Sequence, residues 1–176
     1  MRRDQRGFTL VEVIVVAGII AILAGALIPL ILKEIDEARS SRAYADIRAI
    51  SAAVLVLKKD TGKWAQAATA GCATDLAYLK GAGNTPTVLP PDVGAGATGM
   101  LDDALTADTF GCYGPNWKGP YMTSVGADPW GNFYLLDSES FGGSPVWLIS
   151  AGPDGQFQTG VGSKTLVGDD VGIRLK

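Results

Sequence analysis

Glu12 is the residue whose presence most needs a chemical reason. Apart from Thr9 it is the single polar side chain between Phe8 and Leu32. A carboxylate at the middle of a bilayer costs on the order of 3 kcal/mol, and less near the headgroups. Two explanations are open. Glu12 is a helix-end residue reaching for the interface, or it is an anion neutralised by a cation from another chain. The Gly7-Phe8 junction lies just upstream, and a chain cut there would begin with an amine at Phe8, of reference pKa about 8. The remaining chemistry is sparse. The sequence holds no histidine, which excludes His-based triads and His-ligated metal sites. Its two cysteines, Cys72 and Cys112, are too distant for a CxxC motif and too few for a zinc site. Pro153-Asp154-Gly155 and Gly168-Asp169-Asp170 read by spacing alone as turns, and there is no EF-hand pattern. No general base, nucleophile or phosphate loop stands out. A net charge of −3 does not point to nucleic acid.

The elements that position these residues divide sharply. Val13 to Leu32 carries no charge over 20 residues, and such a helix is about 30 Å long, the thickness of a bilayer core. Periodicity continues beyond it. Ile47, Ile50, Val54 and Leu57 recur at spacings of three and four, with Arg42, Asp46, Arg48 and Lys58 between them. One helix is therefore predicted from about Phe8 to about Lys58, apolar all round at first and then amphipathic, with Gly62 at the left-handed cap. Pro29, with Gly25 nearby, predicts a bend or a melted turn near Ala26. Twenty of the 23 glycines and eight of the nine prolines follow residue 60, so the rest is turn-rich. Thr74 is placed to cap a short helix, Asp75 to Lys80, stopped by Gly81; another is predicted over Gly99 to Asp108, with loop between. Asn132 to Leu136, Val146 to Ser150 and Val171 to Leu175 are strand candidates, the first two joined by a turn at Gly142 to Pro145. The fold class expected is α+β: a long amino-terminal helix whose amphipathic half packs on a small antiparallel sheet.

Arg6-Gly7-Phe8-Thr9-Leu10-Val11-Glu12 resembles the class III signal of type IV pilins and pseudopilins, and Pro29 falls where that family has its helix proline. The resemblance implies cleavage after Gly7 by a prepilin peptidase and methylation of the new terminal Phe8. It implies that Glu12 pairs with the terminal amine of a neighbouring copy as a filament assembles. The segments are then a leader at 1–7, a transmembrane and filament-core half at 8–32, an amphipathic half at 33–62 and a globular periplasmic head at 63–176. Losing the leader removes three arginines and one aspartate and takes the net charge from −3 to −5. A rival site, Ala24-Gly25-Ala26, has the A-x-A form of a secretory signal and would release a chain starting at Leu27. Arg2, Arg3 and Arg6 precede the span, while Lys33, Arg39 and Arg42 follow it; the charge signal is close to balanced, the denser leader favours an inside amino terminus, and the resemblance, which implies the inner membrane, decides it.

Further along, Asp128 to Leu136, "DPWGNFYLL", resembles the Asp-Pro-Trp-Gly-Asn-Pro-Tyr signature of major pseudopilins of the type II secretion system, with Phe133 in place of the second proline. "SAGPDGQ" (Ser150 to Gln156) and "GDDVG" (Gly168 to Gly172) resemble the elements that follow it. In that subfamily these carboxylates hold calcium, which makes Asp154, Asp169 and Asp170 the implied ligands. A periplasmic head would let Cys72 pair with Cys112; the alternative is two separately buried thiols. The function implied is structural: a subunit that polymerises with its own copies into a filament driving secretion, with minor pilin-like subunits and an inner-membrane assembly platform as partners. A surface pilus for adhesion, motility or DNA uptake is the second possibility, and a secreted or membrane-anchored enzyme the third.

Overall fold

A computed structural model of the chain describes residues 7–66, 70–72, 78–90, 98–143, 145–160 and 162–176. Leader residues 1–6, the cap at Thr74 with residues 75–77, residues 91–97 of the predicted loop, and Ser144 of the predicted turn lie outside the described residues. The chain forms two compact units, Met1–Ala38 and Arg39–Lys176.

Helix α1, Leu10–Thr61, contributes to both units. It is helical straight through Pro29, so the predicted melted turn is absent. Proline deletes one N–H, and its ring crowds the carbonyl one turn back, which here belongs to Gly25. Among the described residues, nothing lies within 4 Å of where a Gly25 Cβ would be. The helix stops as expected. Gly62 takes φ +73° and its N–H donates to Lys58 O at 2.9 Å, while Thr61 Oγ1 donates to Leu57 O at 2.7 Å.

The second unit is built on a five-stranded sheet. Its strands are β1 (Tyr78–Lys80), β2 (Thr98–Met100), β3 (Leu135–Asp137), β4 (Trp147–Ser150) and β5 (Val171–Arg174), in spatial order β2-β1-β3-β4-β5. The sheet is mixed, because β1 and β2 run parallel while the other three pairings are antiparallel. Tyr78–Lys80 is thus strand where a helix was predicted. Tyr78 and Leu79 are both buried and belong to opposite sides of the sheet, an alternation only an extended chain provides. The helix predicted over Gly99 to Asp108 contracts to α2, Leu101–Leu105, directly after β2. Thr106 ends it by turning its hydroxyl back onto Asp102 O at 2.7 Å, and Asp108 leaves the helical region at φ +42°. The strand predicted from Asn132 begins later, at Leu135, since Asn132 closes a turn instead.

Each face of the sheet carries its own core. Leu79, Leu136 and Leu148 join Ala43, Ile47, Ile50, Val54 and Leu57 of α1, whose spacing of four and three is the predicted amphipathic stripe. Tyr78, Leu135 and Ile149 face the other way and pack with Phe133, Ala151 and Phe157. The Tyr134 hydroxyl adds a polar tie to the helix, donating to Asp46 Oδ2 at 3.0 Å. Burial, then the neighbouring Asp46 carboxylate, push the Tyr134 hydroxyl's pKa well up, so it stays a donor at any physiological pH. Trp64 stacks on Phe141 at 4.3 Å between ring centroids just past the end of α1.

Candidate functional site

The amino-terminal site is a helix start. Thr9 N and Thr9 Oγ1 both donate to Glu12 Oε2, at 2.9 and 2.8 Å, and Glu12 N donates to Thr9 Oγ1 at 3.3 Å. This is a reciprocal capping box, and Thr9-Leu10-Val11-Glu12 has its T-x-x-E spacing. The sequence reasoning weighed Glu12 as a snorkelling or paired charge and missed this local role, although the spacing alone could have revealed it. Around it the surface is apolar. Phe8 is 85% exposed, and Leu10, Val13, Ile14, Ile20, Leu23, Leu27, Ile31 and Leu32 are all at least half exposed. The helix is long and apolar enough to cross a membrane. Pro29 lies on this exposed stretch, about three turns before α1 enters the second unit near Arg39.

The signature segment is a carboxylate-centred turn. Asp128 Oδ1 accepts from Trp130 N at 3.0 Å and from Asn132 N at 2.8 Å, while Oδ2 accepts from Ser150 Oγ at 2.6 Å. Gly131 closes the turn at φ +92° and donates to Asp128 O at 2.9 Å. Asp128 and Ser150 are both buried. Sequence reasoning singled out this motif without assigning Asp128 a task; a short polar residue opening a Pro-x-Gly turn was the available signal. Phe133, where the signature has proline, donates its N–H to Asn84 O at 3.1 Å.

Carboxy-terminal to β4, the three implied metal ligands are brought into one pair of loops. Asp154 N donates to Asp169 Oδ2 at 3.2 Å. Asp170 Oδ2 accepts from Thr159 N at 2.6 Å and Gln158 N at 3.0 Å, whereas Asp170 Oδ1 is buried with no hydrogen-bond partner among the described residues. Burial is the main cause raising the Asp170 pKa above the usual carboxylate value, partly offset by its bonds to Thr159 and Gln158. Gln158, which sequence reasoning did not single out, reaches two of the three aspartates with its side chain: Nε2 donates to Asp154 Oδ2 at 2.7 Å and Oε1 accepts from Asp169 N at 3.0 Å. Among the described residues, no three metal-ligating side chains gather closely enough to hold an ion unaided. The donors are nonetheless all oxygen, as calcium requires, and one of them is a buried carboxylate oxygen lacking a partner.

Cys72 and Cys112 form a disulfide, with Cα atoms 5.3 Å apart. Of the two alternatives raised by the sequence, pairing is the one observed. The closed loop contains β1, β2 and α2.

A long amino-terminal helix on a small sheet, led by an exposed apolar stretch with a lone glutamate, defines a pilin-like subunit. Residues 2–28 match the family described as "Prokaryotic N-terminal methylation motif", and residues 98–169 match "Type II secretion system (T2SS), protein G". The chain is 32% identical to the type II secretion system core protein G of Pseudomonas aeruginosa over 156 residues, covering 88% of each chain. It is 30% identical to that of Escherichia coli strain K12, covering 88% of this chain and 86% of the relative, and 29% identical to that of Aeromonas hydrophila, covering 90% of each. No solved structure matches it significantly. The chain belongs to the core protein G family of the type II secretion system, the pilin-like subunits of the secretion pseudopilus.

Proposed function

We propose that the chain is cut after Gly7 by a prepilin peptidase, methylated at Phe8, and polymerised from the inner membrane into a secretion filament with its head in the periplasm. The observation carrying this is the uncovered apolar surface from Phe8 to Leu32. At about 25 cal/mol per Å² of apolar area removed from water, such a surface is stable only in lipid or against copies of itself. Leaving the membrane for the filament exchanges one cover for the other. Glu12 then favours the register in which its charge meets the Phe8 amine of a neighbour. Pro29 stays in the helix and belongs to the packed filament core. The work is mechanical rather than enzymatic, with minor pilin-like subunits and an inner-membrane assembly platform as partners.

Terminal mass analysis of filaments sheared from cells tests the processing: a methylated Phe8 terminus is expected, and an intact Met1 or a Leu27 terminus overturns it. Glu12→Ala should leave cleavage and membrane insertion intact while lowering filament yield at least about tenfold. Because Glu12 also caps its helix, Thr9→Val is the matched control. It removes the threonine hydroxyl but keeps the charge, and should assemble normally; equal loss in both variants shows that only the cap matters.

Calcium is the second part of the proposal. Asp154, Asp169 and Asp170 would hold it, with loop carbonyls completing the six to eight oxygens that calcium prefers. When bound, the ion would cross-link the 150–158 and 168–170 loops and so stabilise the carboxy-terminal part of the head. Excess chelator should lower the melting temperature of the native chain, and an unchanged value counts against the site.

A further inference from the structure

We propose that Gln158 holds the ion-free calcium loop closed by standing in for the cation, so that its side chain sets how tightly calcium binds. The inference rests on the calcium site proposed above and adds a residue to it. The Gln158 carboxamide lies between the two loops. Its Nε2 hydrogens supply positive partial charge to Asp154 Oδ2 at 2.7 Å, and its Oε1 takes the Asp169 N–H at 3.0 Å. Its own backbone N–H donates to Asp170 Oδ2 at 3.0 Å, so one residue touches all three aspartates. Space for it is provided by Gly168, at φ +68°, where any Cβ would overlap the Gln158 amide. Asp170 supplies the independent sign of a missing ligand: it is 6% exposed, and its Oδ1 has no hydrogen-bond partner among the described residues.

The chemistry makes the amide a competitor. An amide nitrogen is no ligand for calcium, which takes oxygen alone. In this geometry Nε2 holds one lone pair of Asp154 Oδ2 and sets positive partial charge beside the oxygen a cation would share, so binding must weaken or displace that bond. A hydrogen bond to a carboxylate is among the stronger ones, and at this exposed site competition from water leaves it a modest net value. Gln158 therefore stabilises the empty loop and opposes the loaded one.

The test is calcium titration of the full chain in nonionic detergent, by calorimetry and by thermal melting, with wild type, Gln158→Ala and Gln158→Glu. Gln158→Ala should melt lower without calcium yet bind calcium more tightly, by roughly three- to tenfold for the loss of one charge-assisted hydrogen bond. Gln158→Glu replaces the competing amide with a fourth carboxylate and should bind more tightly still. An unchanged or weaker affinity in Gln158→Ala, with wild type binding normally, overturns the stand-in role alone; weaker binding would make the amide oxygen a ligand. Absence of calcium binding by wild type overturns the site and this inference together.

Discussion

Asp128→Ala is expected to be among the most damaging single changes in the head. Three donors converge on the Asp128 carboxylate: Trp130 N, Asn132 N and Ser150 Oγ, at 3.0, 2.8 and 2.6 Å. Alanine strands all three. Trp130 and Asn132 are half-buried, so water can partly replace the acceptor for their N–H groups. Ser150 is wholly buried and also accepts from Gly152 N at 3.2 Å, so its hydroxyl has no such rescue. Hydrogen bonds to charged groups are worth about 1.5–3 kcal/mol each, and discounting the two wetter ones leaves a cost of roughly 3–5 kcal/mol. For a unit of about 140 residues, with an unfolding entropy of about 2 cal/mol/K per residue, this lowers Tm by roughly 10–17 °C. Asp128→Asn keeps an oxygen for the two N–H groups and turns an amide toward Ser150 Oγ, which can accept; it should cost about 1–2 kcal/mol. Ser150→Ala leaves Asp128 Oδ2 unpaired, and combining it with Asp128→Ala should add little further loss. The measurement is near-ultraviolet circular dichroism during heating, which follows Trp130 and its neighbours rather than the long helix. A Tm within about 2 °C of wild type for Asp128→Ala, or strictly additive losses in the double variant, refutes the reasoning.

Other parts of the head yield smaller tests. Removing the disulfide by Cys72→Ser with Cys112→Ser opens a loop with a sequence separation of 40; the chain-entropy model gives a loss of about 4 kcal/mol, and a Tm fall of less than about 3 °C counts against a stabilising role. Ile47→Ala empties a fully buried position between α1 and the sheet and should cost about 2–5 kcal/mol by denaturant unfolding; a loss under 1 kcal/mol would mean the helix is not held by this face. Tyr134→Phe deletes the bond to Asp46 and should cost about 1 kcal/mol, measured as a small drop in the denaturant midpoint with unchanged slope.

What the sequence made legible follows from how local each signal is. The stripe Ile47, Ile50, Val54 and Leu57 is carried by the period of a single helix, and all four are buried on the sheet as expected. The Gly62 cap needs only a positive φ one residue past the helix end. Tyr78–Lys80 was missed because three residues hold too little period to tell strand from helix, and its antiparallel partner lies more than fifty residues away at Leu135–Asp137. The parallel pairing of β1 with β2 is likewise invisible in either strand alone. Asp154, Asp169 and Asp170 entered through resemblance, not spacing, and the side chain that links the first two, Gln158, carries no motif at all.

Phe133 shows how a departure from a signature is built into the rest of a fold. The signature's proline has no N–H to give. Here the Phe133 N–H donates to Asn84 O, and Asn84 N donates back to Gly131 O at 2.9 Å, so Asn84 is clasped by the signature turn on both sides. Gly83 makes the clasp possible: at φ +136°, its Cβ would lie 2.6 Å from the Asn132 carbonyl carbon. The Phe133 ring is not idle, since it packs against Phe157 at 6.0 Å in the second core. A proline at this position could offer neither the bond nor the ring. Val88 N-terminal to Leu89 then bridges to Gln156, and Thr87 N and Oγ1 both donate to Gly155 O, at 2.9 and 3.0 Å. The long segment between α1 and β3 is therefore stitched first to the signature turn and next to the loop that bears Asp154. The backbone donor that the signature's proline would have removed is used here to hold this segment, and the same stitches brace the loop where the ion is proposed to bind.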